Sequence, residues 1–312
     1  MENENLGEMT EINPALSAQT GGFAFSLATM AYLAASLIAG LVISAAKLQQ
    51  GSDGYIYINY ILAQLAVAIG VAVTVKYKKL NLRKTFPVKC RPKYFLIALL
   101  LIFGLVFSLG HINEYALKLV KLINPAYVER ASYLPDLSGG LVVPAILVIA
   151  VLPAVCEEAL FRGVILNSCE CGMGTIRTVF IVGFCFSLFH GSPEQTVYQF
   201  IAGCTFAFVA IRAGSILPTV LMHFINNAII VIFAACGLLD EGGNLVISFE
   251  ANVALAVVGA ACFIGGIIWL ILDKKPVIKC GKGAIKNFFQ FASIGIVVFA
   301  VLWICSFAGV GA

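Results

Sequence analysis

Glu157 and Glu158 are adjacent in the stretch Val155-Cys-Glu-Glu-Ala-Leu-Phe-Arg-Gly163, and Arg162 follows one helical turn later. The residues around them are apolar enough to cross a bilayer, where each ionisable side chain costs at least ~2.5–3.5 kcal/mol on insertion scales. Three such side chains together imply a use. On an α-helix Glu158 and Arg162 stand four apart and can pair, while Glu157 projects about 100° away from its neighbour. One arginine does not neutralise two carboxylates in a low dielectric, and the acid left over suits a general base. The plainer reading is an internal ion pair that ties helices together; it serves Glu158 better than Glu157. Pro153 removes the hydrogen bond to residue 149, which loosens the helix one turn before the glutamates and opens room for water or substrate.

The chain has three histidines. His111 lies near the end of a span beside Asn113 and Glu114, an interfacial setting. His190 closes the stretch Phe186-Ser-Leu-Phe-His190. His223 opens His223-Phe-Ile-Asn-Asn227, with Asn227 one turn on and on the same face. A lone intramembrane histidine is usually a hydrogen-bonding packing residue, but two of them, on helices other than that of the glutamates, favour a shared site. With helix ends taken near Cys169, Ile176 and Ser215, Glu157, His190 and His223 fall roughly 12–21 Å from one membrane face at 1.5 Å per residue. Convergence is therefore permitted.

These residues need a membrane scaffold to hold them, and the composition supplies one. Of 312 residues, 61% are hydrophobic and 12% charged, against roughly 25% charged in a soluble domain. Long apolar runs exceed the ~20 residues that a spanning helix requires. The spans read as Gly22–Ala46, Tyr55–Val75, Tyr94–Glu114, Leu141–Leu166, Ile176–His190, Glu194–Ile211, Ile216–Leu238, Asn252–Leu272 and Phe288–Val310. The fifth and sixth are short and carry polar residues, as suits helices buried in a bundle. Ser192-Pro193-Glu194 reads as a helix start with a capping serine. Tyr115–Leu137 has helical apolar spacing, either a helix on the outer surface or an ordinary loop. The fold expected is all-α, a polytopic bundle of eight to nine spans. Its divisions are a segment 1–21, helices and an amphipathic loop over 22–139, a core over 140–238 and C-terminal helices over 239–312.

Charge sets the expected orientation. Lys76, Lys78, Lys79, Arg83, Lys84, Lys89, Arg91 and Lys93 fill one loop, and Lys274, Lys275, Lys279, Lys282 and Lys286 fill another. Both loops are cytoplasmic by the positive-inside rule, and the six spans between them agree. The N-terminus is then cytoplasmic and the C-terminus outside. The first twenty residues carry four glutamates and neither lysine nor arginine, unlike a secretory signal. The basic residues are juxtamembrane and give no reason to expect nucleic acid. Most of the ten cysteines sit in spans, where a free thiol acts as a small hydrophobe. Cys169 and Cys171 make a short Cys-Glu-Cys at a turn expected on the cytoplasmic side, where it could bind metal, but a single pair without a partner pair is a weak signal for it.

Glu-Glu-x-x-x-Arg (Glu157, Glu158, Arg162), Phe-x-x-x-His (Phe186, His190) and His-x-x-x-Asn (His223, Asn227), on successive membrane helices, resemble the signature of the CPBP intramembrane proteases. This is the Abi family, the bacterial relatives of the CAAX prenyl endopeptidase. The resemblance covers roughly residues 140–235. It implies a helical bundle with a water-containing cavity and a CAAX-protease-like core that hydrolyses peptide bonds. It further implies that Glu157 activates water, that Glu158 and Arg162 orient it and bind substrate, and that His190, His223 and Asn227 hold a divalent metal or stabilise the oxyanion. Family members are commonly called metalloproteases, yet the chain lacks His-Glu-x-x-His. Glu157, His190 and His223 would make an open Zn²⁺ site; without metal the same groups could form an oxyanion hole. The expected partners are the lipid bilayer and a peptide or membrane-protein substrate. The competing functions are a non-catalytic scaffold or bacteriocin-immunity protein and a proton-coupled transporter; against the transporter, no paired broken helices occupy corresponding halves.

Overall fold

The computed structural model describes residues 15–129, 133–240, 245–273 and 283–309, with every side chain among them but that of Cys171. Ser17 and Ser52 accept hydrogen bonds from backbone amides to start α1 (Ala18–Ala45) and α2 (Asp53–Tyr77). The short α3 (Leu82–Thr85) is capped by Asn81. α4 (Lys93–Phe107) continues through a 3₁₀ turn at Leu109–His111 into α5 (Ile112–Ile123). The span that carries the glutamates is broken five ways: α6 (Val142–Ile146), a π turn at Leu147–Val151, α7 (Leu152–Glu158), a second π turn at Ala159–Ile165, and α8 (Leu166–Met173). Then follow α9 (Thr175–His190), α10 (Thr196–Ala213), α11 (Leu217–Ala235), α12 (Phe249–Leu272) and α13 (Ala284–Phe307).

Among the described residues, eight helical segments are long and apolar enough to span a bilayer, and α9 is a shorter apolar helix beside them. The chain is an all-α, multi-pass membrane protein. Among the described residues there is no strand beyond one isolated bridge between Leu239 and Leu245. The nine expected spans are thus eight long helices and one short one.

Two apolar clusters organise the bundle. One joins Phe25 of α1, Val67 of α2, Phe161, Phe186 of α9 and Phe299 of α13. The other joins Ile97 of α4, Phe206 of α10, Met222 of α11 and Leu270 of α12. Side chains such as Leu37, Leu41, Val257 and Ile268 stay exposed on the outer helices, as lipid-facing residues must. At the basic end of the bundle, the segment around α3 folds under the core. The Thr85 carbonyl accepts from Asn167 at 2.9 Å, and the Pro87 carbonyl accepts from the Ile216 amide at 2.9 Å. Lys93 and Tyr94 both bind Asp273, at 2.8 and 2.6 Å, tying the start of α4 to the end of α12.

The amphipathic stretch resolves into both of its expected forms. Its first part is α5, whose Tyr115, Leu119, Leu122 and Ile123 are exposed. The described residues of the rest, 124–129 and 133–138, lie outside any helix and lead to the 3₁₀ turn at Gly139–Leu141. Along it Asn124 donates to the Phe307 carbonyl at 2.6 Å, the buried Tyr127 hydroxyl donates to buried Glu194, and the Asp136 amide donates to Asp53. Burial, and then the Glu194 contact, push the Tyr127 phenol up from its usual range. The Ser192 cap is corrected: α10 starts at Thr196, whose hydroxyl donates to the Ser192 carbonyl at 2.9 Å, while the Ser192 side chain caps nothing. Glu194 lies outside the helix because its carboxylate is held by Tyr127. Lys274, Lys275, Lys279 and Lys282 lie outside the described residues. The eight cysteines whose side chains are described are free thiols, and Cys171 is outside that set.

Candidate functional site

Arg162, like Glu158, has none of its surface exposed. Its Nη1 donates to Glu158 Oε1 at 2.7 Å and its Nη2 to the Gly203 carbonyl at 3.1 Å. The guanidinium lies 4.6 Å from the Phe186 ring and 5.0 Å from the Phe206 ring, so aromatic faces share the solvation of the charge. The Gly203 carbonyl is within reach because α9 and α10 cross at two glycines. A Cβ at Gly203 would meet Gly183 Cα at 2.9 Å and Phe186 Cβ at 3.0 Å.

The expected pair of Glu158 with Arg162 is therefore present, and it recruits His223. The His223 Nδ1 lies 3.0 Å from the same Glu158 Oε1. A paired carboxylate only accepts, so Nδ1 carries the hydrogen and Nε2 keeps a lone pair in the neutral ring. That Nε2 faces Glu157 Oε2 across 3.9 Å. Glu157 Oε2 is buried and has no hydrogen-bond partner, whereas its Oε1 accepts from Gln64 Nε2 at 2.8 Å. Two acceptors thus confront each other over a gap that only a donor or a cation can fill.

The structure does not join all six expected residues directly. Glu157, Glu158, Arg162 and His223 form one connected group. His190 is linked to it through Phe186, whose carbonyl accepts from His190 Nδ1 at 2.8 Å and whose ring lies 4.7 Å from the His190 ring and 6.0 Å from that of His223. No hydrogen bond or ion pair joins His190 to either glutamate among the described residues. Asn227 turns elsewhere. Its Nδ2 donates to the Ile149 carbonyl at 3.3 Å, the very carbonyl that Pro153 cannot satisfy, and its Oδ1 accepts from Asn226. His111 stays apart, half-buried beside Glu114 at 3.2 Å.

Two features of the site escaped the sequence reading. Gln64 gives only a faint signal, an amide among Ile61, Leu62, Leu65 and Ala66 in the middle of α2. The π turns give none beyond Pro153, although such turns cluster at functional sites. In the second turn the Leu166 amide bonds to Phe161 in place of Arg162, and Asn167 Nδ2 donates to the carbonyls of Arg162 and Gly163 instead. A cavity of about 150 Å³ adjoins Arg162 and is lined also by Pro87, Asn167, Glu170 and Ser215. It has room for several waters.

The donor set suits a metal chemically, because both imidazoles anchor Nδ1 and leave Nε2 free, as ligating histidines do. Yet among the described residues no three His, Cys, Asp or Glu side chains are gathered closely enough to hold an ion.

A helical membrane bundle with a buried arginine, two carboxylates and an imidazole at its centre is an intramembrane protein built around a polar site. Residues 139–229 match the family model described as type II CAAX prenyl endopeptidase Rce1-like, and this match supports a CPBP/CAAX protease assignment for that segment. The match covers less than a third of the chain and takes in Glu157, Glu158, Arg162, His190, His223 and Asn227. No curated protein and no solved structure matches the chain.

Proposed function

We propose that the protein is an intramembrane endopeptidase that hydrolyses a peptide bond in a small or membrane-associated peptide. The carrying observation is the confrontation of Glu157 Oε2 with His223 Nε2 at 3.9 Å, both buried. A water placed there donates to both acceptors. Glu157 takes a proton as the water oxygen bonds to the scissile carbonyl carbon, and the carbon–nitrogen bond then breaks as the amine receives that proton. Glu158, clamped by Arg162, holds the His223 ring in the required tautomer and orientation.

The developing oxyanion needs a donor or a cation. Asn227 has its amide engaged at Ile149, and both imidazoles keep their hydrogens on Nδ1. An oxyanion is therefore met by a second proton on His190 or His223; were Glu157, His190 and His223 to close around a divalent ion such as Zn²⁺, that ion would supply the positive charge instead. Bound there, a metal would polarise the carbonyl and acidify water. In this reading the basic loops face the cytoplasm, the N-terminus with them, and the C-terminus lies outside.

The test is the purified protein in liposomes, screened against a peptide library with and without chelator. Wild type cleaves. Glu157→Gln and His223→Ala fall to background and keep their melting temperature within a few degrees. Full cleavage by either variant discards the site, and chelator separates the two oxyanion routes. A scaffold or immunity protein would cleave nothing and would tolerate Glu157→Gln.

A further inference from the structure

We infer that Gln64, on α2, is a positioning residue for Glu157, an inference that rests on the peptidase reading above. It belongs to no motif and lies outside the stretch of 139–229 that matches the protease family. Its side chain is buried, 6% exposed, and its Nε2 donates to Glu157 Oε1 at 2.8 Å. The orientation of that amide is dictated by its neighbour, since turning it over would set oxygen against a carboxylate oxygen.

A purely architectural amide in a membrane core would have both ends satisfied. Gln64 does not: its Oε1 is buried without a partner, and its single hydrogen bond goes to Glu157. Occupying Oε1 leaves Oε2 as the free oxygen of Glu157 and turns it towards His223. The carboxylate would otherwise be free to rotate about its last torsion, because Glu157 makes no other hydrogen bond among the described residues. Gln64 therefore selects which oxygen meets the water. It does so from a helix of the flank that holds α1 and α13, so the site draws on a part of the fold that the family match does not reach.

The test uses Gln64→Met, of similar volume and with no donor, and Gln64→Asn, which keeps an amide but is too short to reach. Both are prepared as full-length protein in liposomes. The expected result is a kcat lowered about 10–100-fold, the size typical of lost outer-shell hydrogen bonds, with KM unchanged. In infrared difference spectra, the carboxyl band that disappears in Glu157→Gln should change frequency in both Gln64 variants. An unmoved band with wild-type kcat overturns the inference, as does a raised KM with kcat unchanged. If one variant fails to fold, the other decides. If wild type shows no cleavage at all, the peptidase reading fails, and the band alone then decides whether Gln64 sets Glu157.

Discussion

At the scale of single residues, the charge balance in the core separates what holds from what reacts. Glu158 and Arg162 are both fully buried and pair with each other, with Gly203 and His223 as further partners, although Glu158 Oε2 and Arg162 Nε make no hydrogen bond. Removing one member of such a pair strands the other in hydrocarbon. Arg162→Leu should therefore cost about 3–5 kcal/mol in unfolding measurements in detergent. Arg162→Lys should recover only part of that, since an ammonium lacks the planar fork that spans Glu158 and Gly203. Glu157 combines an unsatisfied oxygen with the lack of an arginine of its own. That imbalance was legible in the sequence, where two acids share one arginine on one helix. What the spacing could not show was the partner of each on another helix, Gln64 for Glu157 and His223 for Glu158, because hydrogen bonds between helices leave no period along a chain. Asn227 illustrates this: its place one turn from His223 suggested the same job, but the vacancy made by Pro153 on another helix takes its amide.

At the scale of elements, the helices were legible because apolar length is a direct demand of the bilayer. Their irregularities were less so. Pro153 announces a disturbance, but the π turns on either side of α7 depend on neighbours such as Asn167 that collect the released carbonyls. The α10 start moved to Thr196 because Ser187 and Trp303 both bind that residue, and Tyr127 pulls Glu194 away. The crossing of α9 and α10 makes the sharpest demand on residue size. Gly203→Ala places a methyl against the Gly183 backbone, which cannot yield as a side chain could. We expect a loss of about 1–3 kcal/mol by thermal unfolding. Cleavage should fall as well, because the displaced α10 carries the Arg162 contact with it.

At the scale of the whole molecule, charge at the bundle ends was legible and its use in fastening helices was not. Lys93, followed by Tyr94, holds the Asp273 carboxyl below the usual carboxylate range by hydrogen bonding. A carboxyl lowered in the folded state stabilises fully above its unfolded value of ~3.9, and that contribution is lost as pH falls through the lowered folded value. The melting difference between wild type and Asp273→Asn should accordingly be present at neutral pH and vanish in strong acid. Arg162 has a consequence on this scale too. Phe186 belongs to one apolar cluster and Phe206 to the other, with the guanidinium between them. Prising the bundle apart along that seam would strip both aromatic faces from the guanidinium and leave its ion pair facing oil, so on the proposed reading a long peptide enters by some other gap.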